Sequence, residues 1–594
     1  MKKAGNFLEN IHNDDFIAPY RSKHLHGLMM NGNRPKESLN GEWHFGIDQY
    51  DNCLRAKFFE ENTHDQDGRP YPLDYSFDSW ETMTVPSCWN LHSERLFLYE
   101  GSIVYTRKFR YQNHGEERVF LHFGGAAYAA YVFLNRQYIG MHEGASTPFT
   151  VEVTDVLQTE NRIVVVVNNN RKQTNVPCEN TDWFNYGGLY RDVEIIRTPE
   201  TYIKDFAISL APDDINSICV SVTIDGSIKS GTAVLHITEL GLHEEIPVTD
   251  GRGEARFCVK PALWSPENPQ LYDITLAFEK DNISDRVGFR EIKVIGTEIY
   301  LNGKPILLKG ICAHEDSVRN GKSVTEAEIR ENYRLAKEMN CNYMRLAHYP
   351  HSEAAARIAD EMGIMLWEEI PVYWAIEFGN EAVYTCAENQ LKELIIRDRN
   401  RASVIIWSVG NENADTDDRL LFMSRLVQTA KKLDPTRLVS AACLYDGEAF
   451  IINDRLSEYI DVIGINEYFG WYQPVFANLI RLFENSKPAK PVVICETGAD
   501  ARARHHGTKD ELMTEDNQLY VYQRQIEVLS RIPYVKGISP WILFDFRCPR
   551  RLHSLQNYYN LKGLLSADKG HKKLAFYALK EFFGWWGVKH NEDC

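Results

Sequence analysis

The chain has 594 residues, of which 44% are hydrophobic and 25% are charged. Because single hydrophobic cores stop growing at about 250–300 residues, this length predicts several domains. The formal net charge of −17 argues against nucleic acid or an anionic membrane as the main partner.

The cysteines and the N-terminal segment bear on the compartment. The 12 cysteines are scattered and none forms a Cys-x-x-Cys pair, which favours a reducing environment. Residues 1–16, "MKKAGNFLENIHNDDF", lack the apolar core of a signal peptide, and no run approaches the ~20 apolar residues of a membrane span. We therefore expect a cytoplasmic protein with no membrane partner.

Two β-rich segments come first. Up to residue 200 the chain consists of short apolar or alternating runs, such as "RVFLHFGGA" and "NRIVVVVNNN", which predict a jelly-roll-like β-sandwich. Residues 201–295 contain strands at near-regular spacing, such as "ICVSVTIDGSI" and "GTAVLHITEL". Their length and spacing predict an immunoglobulin-like β-sandwich.

From residue 296 to 594 apolar β-branched runs alternate with amphipathic helical stretches. Eight such runs, among them "CNYMRLAHYP" and "VVICETG", predict a (β/α)8 barrel. In "TEAEIRENYRLAKEM" the pair Thr325 and Glu328 predicts a helix capping box. An open doubly wound sheet is the alternative fold, but no Gly-x-Gly-x-x-Gly or Walker motif supports its usual ligands.

Polar residues follow the predicted barrel strands, whose carboxyl ends form the active site in such barrels. In chain order they are His314, Glu315, Asp316, Arg345, His348, Glu368, Glu369, Asn411, Glu412, Asn466, Glu467, Tyr468, Glu496, Trp541 and Asp545. Carboxylates mixed with imidazole, amide and aromatic groups suit a polar organic ring better than a hard metal ion. We expect Glu368 and Glu369 to pair with Arg345 at the barrel mouth.

Two of these carboxylates are candidates for acid/base and nucleophilic work. Retaining glycoside hydrolysis needs two carboxyl groups about 5–5.5 Å apart. One must be protonated at neutral pH and the other ionised. Glu412 and Glu496 end the fourth and seventh predicted strands, and we expect them to face one another.

Four segments carry a resemblance to a known family. "IIWSVGNEN", "VVICETGAD", "NYMRLAHYPHS" and "VGFREIKV" followed by "LNGKPILLKGICAHED" resemble glycoside hydrolase family 2, whose members include β-galactosidases, β-mannosidases and β-glucuronidases. The resemblance implies that Glu412 is the acid/base and Glu496 the nucleophile. It also implies that residues 1–200 form a sugar-binding-like domain.

Further segments resemble those of bacterial β-glucuronidases. "TDWFNYGGLYRDV" places Asp182 at a sugar hydroxyl, and "NLKG" places Asn560 and Lys562 at the sugar carboxylate. "NEYFGWY" supplies Tyr468 and Tyr472. A lysine ammonium pairs with a carboxylate, which a neutral sugar lacks.

Three further residues complete the expected substrate site. Asn411 and His314 are expected to contact substrate, and Trp541 to form a wall of the sugar pocket. The family arginine just before the Asn-x-Lys motif is missing, and one of three candidates could replace it: Arg547, Arg550 or Arg551.

The sequence thus predicts a retaining exo-β-glucuronidase that uses no metal and no cofactor and forms a homo-oligomer. A β-galacturonidase or β-galactosidase of the same family is the first alternative. A catalytically inactive carbohydrate-binding protein on the same barrel is the second, although the presence of both glutamates speaks against it.

Overall fold

The computed structural model describes residues 17–21, 23–25, 33–62, 64, 67–70, 75–112, 115, 117–212 and 214–587. The described residues form two compact units: one up to Arg171 together with Asn185–Tyr202, and one of Lys172–Phe184 together with the chain from Ile203 onward. Residues 1–16, on which the signal-peptide expectation rests, and Cys594 lie outside the described residues. No helix in the described part is long and apolar enough to cross a membrane.

The first unit is a β-sandwich. Its elements are α1 (Ala18–Arg21), β1 (Lys36–Ser38), β2 (Gly41–Ile47), α2 (Asn52–Arg55), β3 (Thr82–Val85), β4 (Ser102–Arg110), β5 (Glu117–Phe123), β6 (Ala126–Ala127), β7 (Ala129–Leu134), β8 (Gln137–Glu143), β9 (Phe149–Glu152), β10 (Glu160–Asn168), β11 (Gly188–Leu189) and β12 (Val193–Pro199). One sheet has the order β1-β12-β5-β9 and the other β3-β2-β4-β10-β7-β8. Leu121 and Ile195 of the first sheet share a core with Val165 of the second, so the predicted jelly-roll-like sandwich is confirmed.

The second unit begins with an antiparallel β domain. Its strands are β13 (Tyr202–Ala211), β14 (Asp214–Asp225), β15 (Gly231–Ile237), β16 (Leu242–Thr249), β17 (Arg252–Cys258), β18 (Tyr272–Phe278) and β19 (Asp281–Val287). They pair in the order β13-β14-β17-β16-β15-β18-β19. In β14 the buried residues Val220, Val222 and Ile224 alternate with more exposed ones, as expected for a strand with one face in a core. The predicted immunoglobulin-like domain is confirmed.

A closed parallel barrel follows a small sheet of β20 (Ile292–Ile295), β21 (Glu298–Leu301) and β22 (Lys304–Ile306). The barrel strands are β23 (Leu308–Ala313), β24 (Tyr343–Leu346), β25 (Met365–Glu369), β26 (Val404–Asn411), β27 (Leu438–Cys443), β28 (Val462–Asn466), β29 (Val492–Glu496) and β30 (Val535–Ile538). Pairing of β23 with β30 closes the barrel. This closure confirms the (β/α)8 prediction and rules out the open sheet.

Helices cover the outside of the barrel. They are α3 (Glu326–Glu338), α4 (Glu353–Met362), α5 (Glu381–Asp398), α6 (Asp417–Leu433), α7 (Ala477–Asn485), α8 (Glu515–Leu529) and α9 (Leu574–Trp585), with β31 (Phe546–Arg547) and β32 (Tyr559–Asn560) before α9. The predicted capping box of Thr325 and Glu328 is present at the start of α3. All eight residues of β26 are buried, because a barrel strand faces the barrel interior on one side and helices on the other.

Candidate active site

A buried arginine links the strand ends of the barrel. Arg345 of β24 donates to Glu369 at 2.9 and 3.1 Å and to Oε1 of Glu496 at 2.8 Å. It also donates to Oδ1 of Asn411 at 2.8 Å. One guanidinium therefore fixes groups from three other strands, and the two carboxylates satisfy the charge that it carries in the interior.

Glu496, the last residue of β29, has donors at both carboxylate oxygens. Oε1 accepts from Arg345, and Oε2 accepts from the hydroxyl of Tyr468 at 2.7 Å. The contact with Arg345 is a charge-assisted hydrogen bond, and the two donors together fix the position of the carboxylate. The arrangement suits a carboxylate nucleophile.

Glu412 lies directly after β26, in the left-handed backbone region with φ of 53°. The indole N–H of Trp374 donates to its Oε2 at 2.8 Å. Burial and then the charge of Glu496 raise the pKa of Glu412, while the hydrogen bond from Trp374 opposes that rise. A raised pKa is what a carboxyl group needs if it is to act as a general acid.

The amide of Asn411 contacts Arg345, Asn466 and Glu412. Its Oδ1 accepts from Arg345 and from Nδ2 of Asn466 at 3.1 Å. With the oxygen committed to these donors, Nδ2 is directed to Oε2 of Glu412 at 3.4 Å. Asn411 is therefore oriented by its neighbours on two other strands.

Aromatic rings and histidines line the same mouth. Trp541, which follows β30, stacks on His348 with ring centroids 4.9 Å apart, and His314 meets its edge at 5.2 Å. His314 Nδ1 lies 3.1 Å from the hydroxyl of Tyr349, while Nε2 has no hydrogen-bond partner among the described residues. Burial lowers the pKa of His314 well below its usual value, so the imidazole is neutral.

A second cluster surrounds Lys562. Its ammonium donates to Oδ2 of Asp500 at 2.6 Å and to the hydroxyl of Tyr472 at 2.8 Å. Burial is the largest influence and disfavours the charge, but Asp500 and Tyr472 together outweigh it, so the pKa of Lys562 is raised. The other oxygen of Asp500 accepts the backbone N–H of Leu561 at 2.9 Å, which fixes the loop that carries the lysine.

Asp182 joins this cluster from the segment Lys172–Phe184. It forms an ion pair with Arg551 and accepts a hydrogen bond from Nδ2 of Asn560 at 3.4 Å. Arg551 in turn donates to the hydroxyl of Tyr472 at 3.1 Å. Asp182 and Tyr472, which are distant in the sequence from Asn560 and Lys562, are thus brought into one network with them.

The prediction that both Glu368 and Glu369 pair with Arg345 is wrong for Glu368. Successive residues of a strand point to opposite faces, so Glu369 faces the barrel interior while the buried carboxylate of Glu368 faces away from it. Burial and the neighbouring charge of Asp398 raise the pKa of Glu368 well above its usual value. Glu369 is confirmed as a partner of Arg345.

Three residues of these networks lack an assigned role in the sequence analysis. Asp500 follows Glu496 by four positions, and Trp374 lies in the loop after β25. Asn466 precedes Tyr468 and contacts Asn411. Of the three, only Asn466 could be recognised from the sequence as a candidate site residue, because it ends a predicted barrel strand. The partners of Asp500 and Trp374 come from distant segments and depend on the closed barrel.

Family models match nearly the whole chain. The model described as "Glycosyl hydrolases family 2, sugar binding domain" matches residues 36–199, "Glycosyl hydrolases family 2" matches 201–290, and "Glycosyl hydrolases family 2, TIM barrel domain" matches 292–577. The chain belongs to glycoside hydrolase family 2. It is therefore a glycoside hydrolase, as its sequence predicts.

Members of family 2 similar to this chain include a β-glucuronidase of Paenibacillus borealis, 27% identical over 91% of this chain and 96% of the relative. Bifidobacterium dentium β-glucuronidase in complex with coumarin-3-O-glucuronide has a TM-score of 0.82 at 25% identity, over 95% of this chain and 98% of that one. An Eisenbergiella tayi β-galacturonidase bound to galacturonate has a TM-score of 0.80 at 24% identity, over 94% and 99%. At this identity, the similarity to the β-galacturonidase shows a shared fold and no more.

Metal ligation does not account for the acidic residues described above. Within the described ranges, no group of three or more histidine, cysteine, aspartate or glutamate side chains is arranged to hold a metal ion. The carboxylates of the barrel mouth are instead bound by arginine, tyrosine and tryptophan donors.

Proposed function

We propose that this family 2 enzyme is a retaining exo-β-glucuronidase that hydrolyses terminal β-D-glucuronides. The observation that carries the proposal is the buried ammonium of Lys562 beside Tyr472 and Asn560. Two of its three hydrogens are directed to Asp500 and Tyr472. The third is available to a sugar carboxylate, which would be a second anion beside Asp500.

Glu496 attacks the anomeric carbon in the first displacement, while Glu412 protonates the departing oxygen. The resulting glycosyl–enzyme ester is then hydrolysed by a water that Glu412 deprotonates. Arg345 and Tyr468 hold the carboxylate of Glu496 in position. The raised pKa of Glu412 supports the acid role, because the first step needs its proton.

The remaining predicted site residues bind the sugar. Asn560 and Lys562 hold the carboxylate. Contacts to sugar hydroxyl groups come from the buried polar side chains near the mouth, which are Asp182, His314 and Asn411. Trp541 and Tyr472 form walls of the pocket. The unpartnered Nε2 of His314 supports its role, because a substrate hydroxyl would satisfy it.

The comparisons support a uronide substrate without choosing its C4 configuration. β-Glucuronidases are prominent among the relatives, but a β-galacturonidase shares the fold. A lysine clamp discriminates against neutral galactosides and would hold either uronate. A β-galacturonidase therefore remains the second candidate. We further propose a cytoplasmic homo-oligomer with domains at 1–200, 201–295 and 296–594.

Replacement of Lys562 tests the proposal. In Lys562→Gln the ratio of kcat/KM for 4-nitrophenyl β-glucuronide to that for 4-nitrophenyl β-glucoside should fall by at least about tenfold, since charged hydrogen bonds contribute about 1.5–3 kcal/mol. Lys573→Gln is the matched control, because Lys573 is also buried and ion-paired, with Asp545 at 2.7 Å. Equal losses on the two substrates in Lys562→Gln would contradict the proposal.

A further inference from the structure

Two adjacent arginines after the last barrel strand contact different groups. Arg551 pairs with Asp182 and donates to Tyr472, in the cluster around Lys562. The guanidinium of Arg550 instead lies 4.7 Å from the centre of the Trp374 ring. Arg551 thus belongs to the cluster around Lys562. Arg550 contacts Trp374, which itself donates to Glu412.

Trp374 identifies the leaving-group side of the site. Its indole N–H is 2.8 Å from Oε2 of Glu412. An acid that protonates a glycosidic oxygen must come within roughly 2.6–3.2 Å of it. The first atoms of the leaving group therefore pass close to Trp374, and the guanidinium of Arg550 lies over that ring.

Arg550 is available to a ligand. Its side chain is exposed, and no carboxylate of the described residues lies within 4.0 Å of its guanidinium nitrogens. The neighbouring candidates are both engaged: Arg551 by Asp182, and Arg547 by the backbone carbonyl of Ser317 at 2.9 Å. A guanidinium packed on an aromatic ring keeps its N–H donors at its edge, where they can bind an anion in bidentate fashion.

We propose that Arg550, held over Trp374, forms a leaving-group subsite that selects an aglycone bearing an anionic group. The inference rests on the proposed function and extends it: the substrate carries one negative charge on the terminal uronate and a second on the unit that departs. A carboxylate and a sulfate offer the same recognition chemistry to a guanidinium.

The test compares matched aryl glucuronides. kcat/KM is measured for 4-carboxyphenyl and 4-carbamoylphenyl β-glucuronide, and for the 4-sulfophenyl and 4-sulfamoylphenyl pair. The anionic-to-neutral ratio in Arg550→Gln should fall by about two- to fivefold relative to the wild type, the scale of a favourable surface ion pair. The anionic and neutral leaving groups differ in intrinsic reactivity, but this difference is the same for both enzymes. It therefore cancels when the ratio of the variant is divided by that of the wild type. The pair with the larger loss identifies the preferred anion.

Arg531→Gln is the control, because Arg531 is a highly exposed arginine on the loop after α8; its ratios should equal those of the wild type. Unchanged ratios in Arg550→Gln, with the neutral glucuronides hydrolysed by the wild type, would overturn the inference alone. A wild type that hydrolyses none of the four glucuronides would overturn the proposed function and the inference with it.

Discussion

At the scale of single residues, the proton of Glu412 depends on a few contacts. Burial and the charge of Glu496 raise its pKa, and the indole N–H of Trp374 lowers it. In the proposed mechanism the proton is needed when the leaving group departs, so these contacts would set the highest pH at which the first step proceeds. Trp374 would then affect the chemistry without contacting the anomeric carbon.

Trp374→Phe removes a donor that stabilises the ionised form of Glu412. The pKa of Glu412 should rise, and the alkaline limb of the pH profile of kcat/KM for an aryl glucuronide should move to higher pH. Trp471→Phe is the control, since that indole lies over Lys562 at 5.6 Å. An alkaline limb that stays in place, or moves to lower pH, would contradict this account of Glu412.

At the scale of elements, the end of β26 is shaped by close packing. A Cβ placed on Gly410 would lie 2.6 Å from Oδ1 of Asn413, 2.6 Å from Cε of Met423 and 3.0 Å from the backbone oxygen of Val372. Asn413 itself donates to the carbonyl of Trp374 at 2.8 Å. The residue before Asn411 must therefore be small, since it packs against the loop that carries Trp374.

Gly410→Ala should destabilise the protein by about 1–3 kcal/mol, the usual cost of overpacking. It should also lower kcat, because the end of β26 must shift and Glu412 shifts with it. Gly447→Ala is the matched control, since a Cβ there meets nothing within 4 Å. Thermal unfolding and steady-state kinetics of both variants check the expectation, and a Gly410→Ala enzyme as stable and active as Gly447→Ala would refute it.

The elements could be predicted from the sequence because each barrel strand is a local apolar run that ends in polar residues. The assignment of Glu412 and Glu496 to strand ends used the same local signal. The roles of Asp500 and Trp374 could not be predicted, because partners such as Lys562 for Asp500 and Arg550 for Trp374 are distant in the sequence and meet them only after the barrel closes. The outward direction of Glu368 depends on the register of β25, which a run of buried residues does not reveal.

At the scale of the whole molecule, buried carboxyl groups couple stability to pH. Burial raises the pKa of Glu467, next to the end of β28, to about 7. In the unfolded chain this glutamate loses its proton near its ordinary pKa of 4.5. Between these two values the folded state holds the extra proton, so this group makes the protein less stable as pH rises. Below about 4.5 and above about 7 its contribution is constant.

Glu467→Gln removes the loss of stability that ionisation of this buried group causes. The glutamine can still accept the backbone N–H of Phe469, which Oε2 of Glu467 accepts at 3.0 Å. The stability gain of the variant over the wild type should grow from about pH 4.5 to about pH 7 and then level off, with an upper limit of roughly 3 kcal/mol. Glu448→Gln, at an exposed position, should follow the wild type. A gain that shrinks as pH rises would contradict the buried, protonated state of Glu467.

The substrate is decided by the whole assembly, since Glu412, Glu496, Asp182 and Lys562 come from four separate segments. The most direct measurement is kcat/KM of the wild-type enzyme on 4-nitrophenyl β-glucuronide, β-galacturonide, β-galactoside and β-glucoside. We expect the glucuronide to be the best substrate, ahead of the neutral sugars by roughly 10³-fold or more, because a neutral sugar offers no carboxylate to the third N–H of the buried Lys562 ammonium. A galacturonide or galactoside hydrolysed faster than the glucuronide would contradict the proposed function.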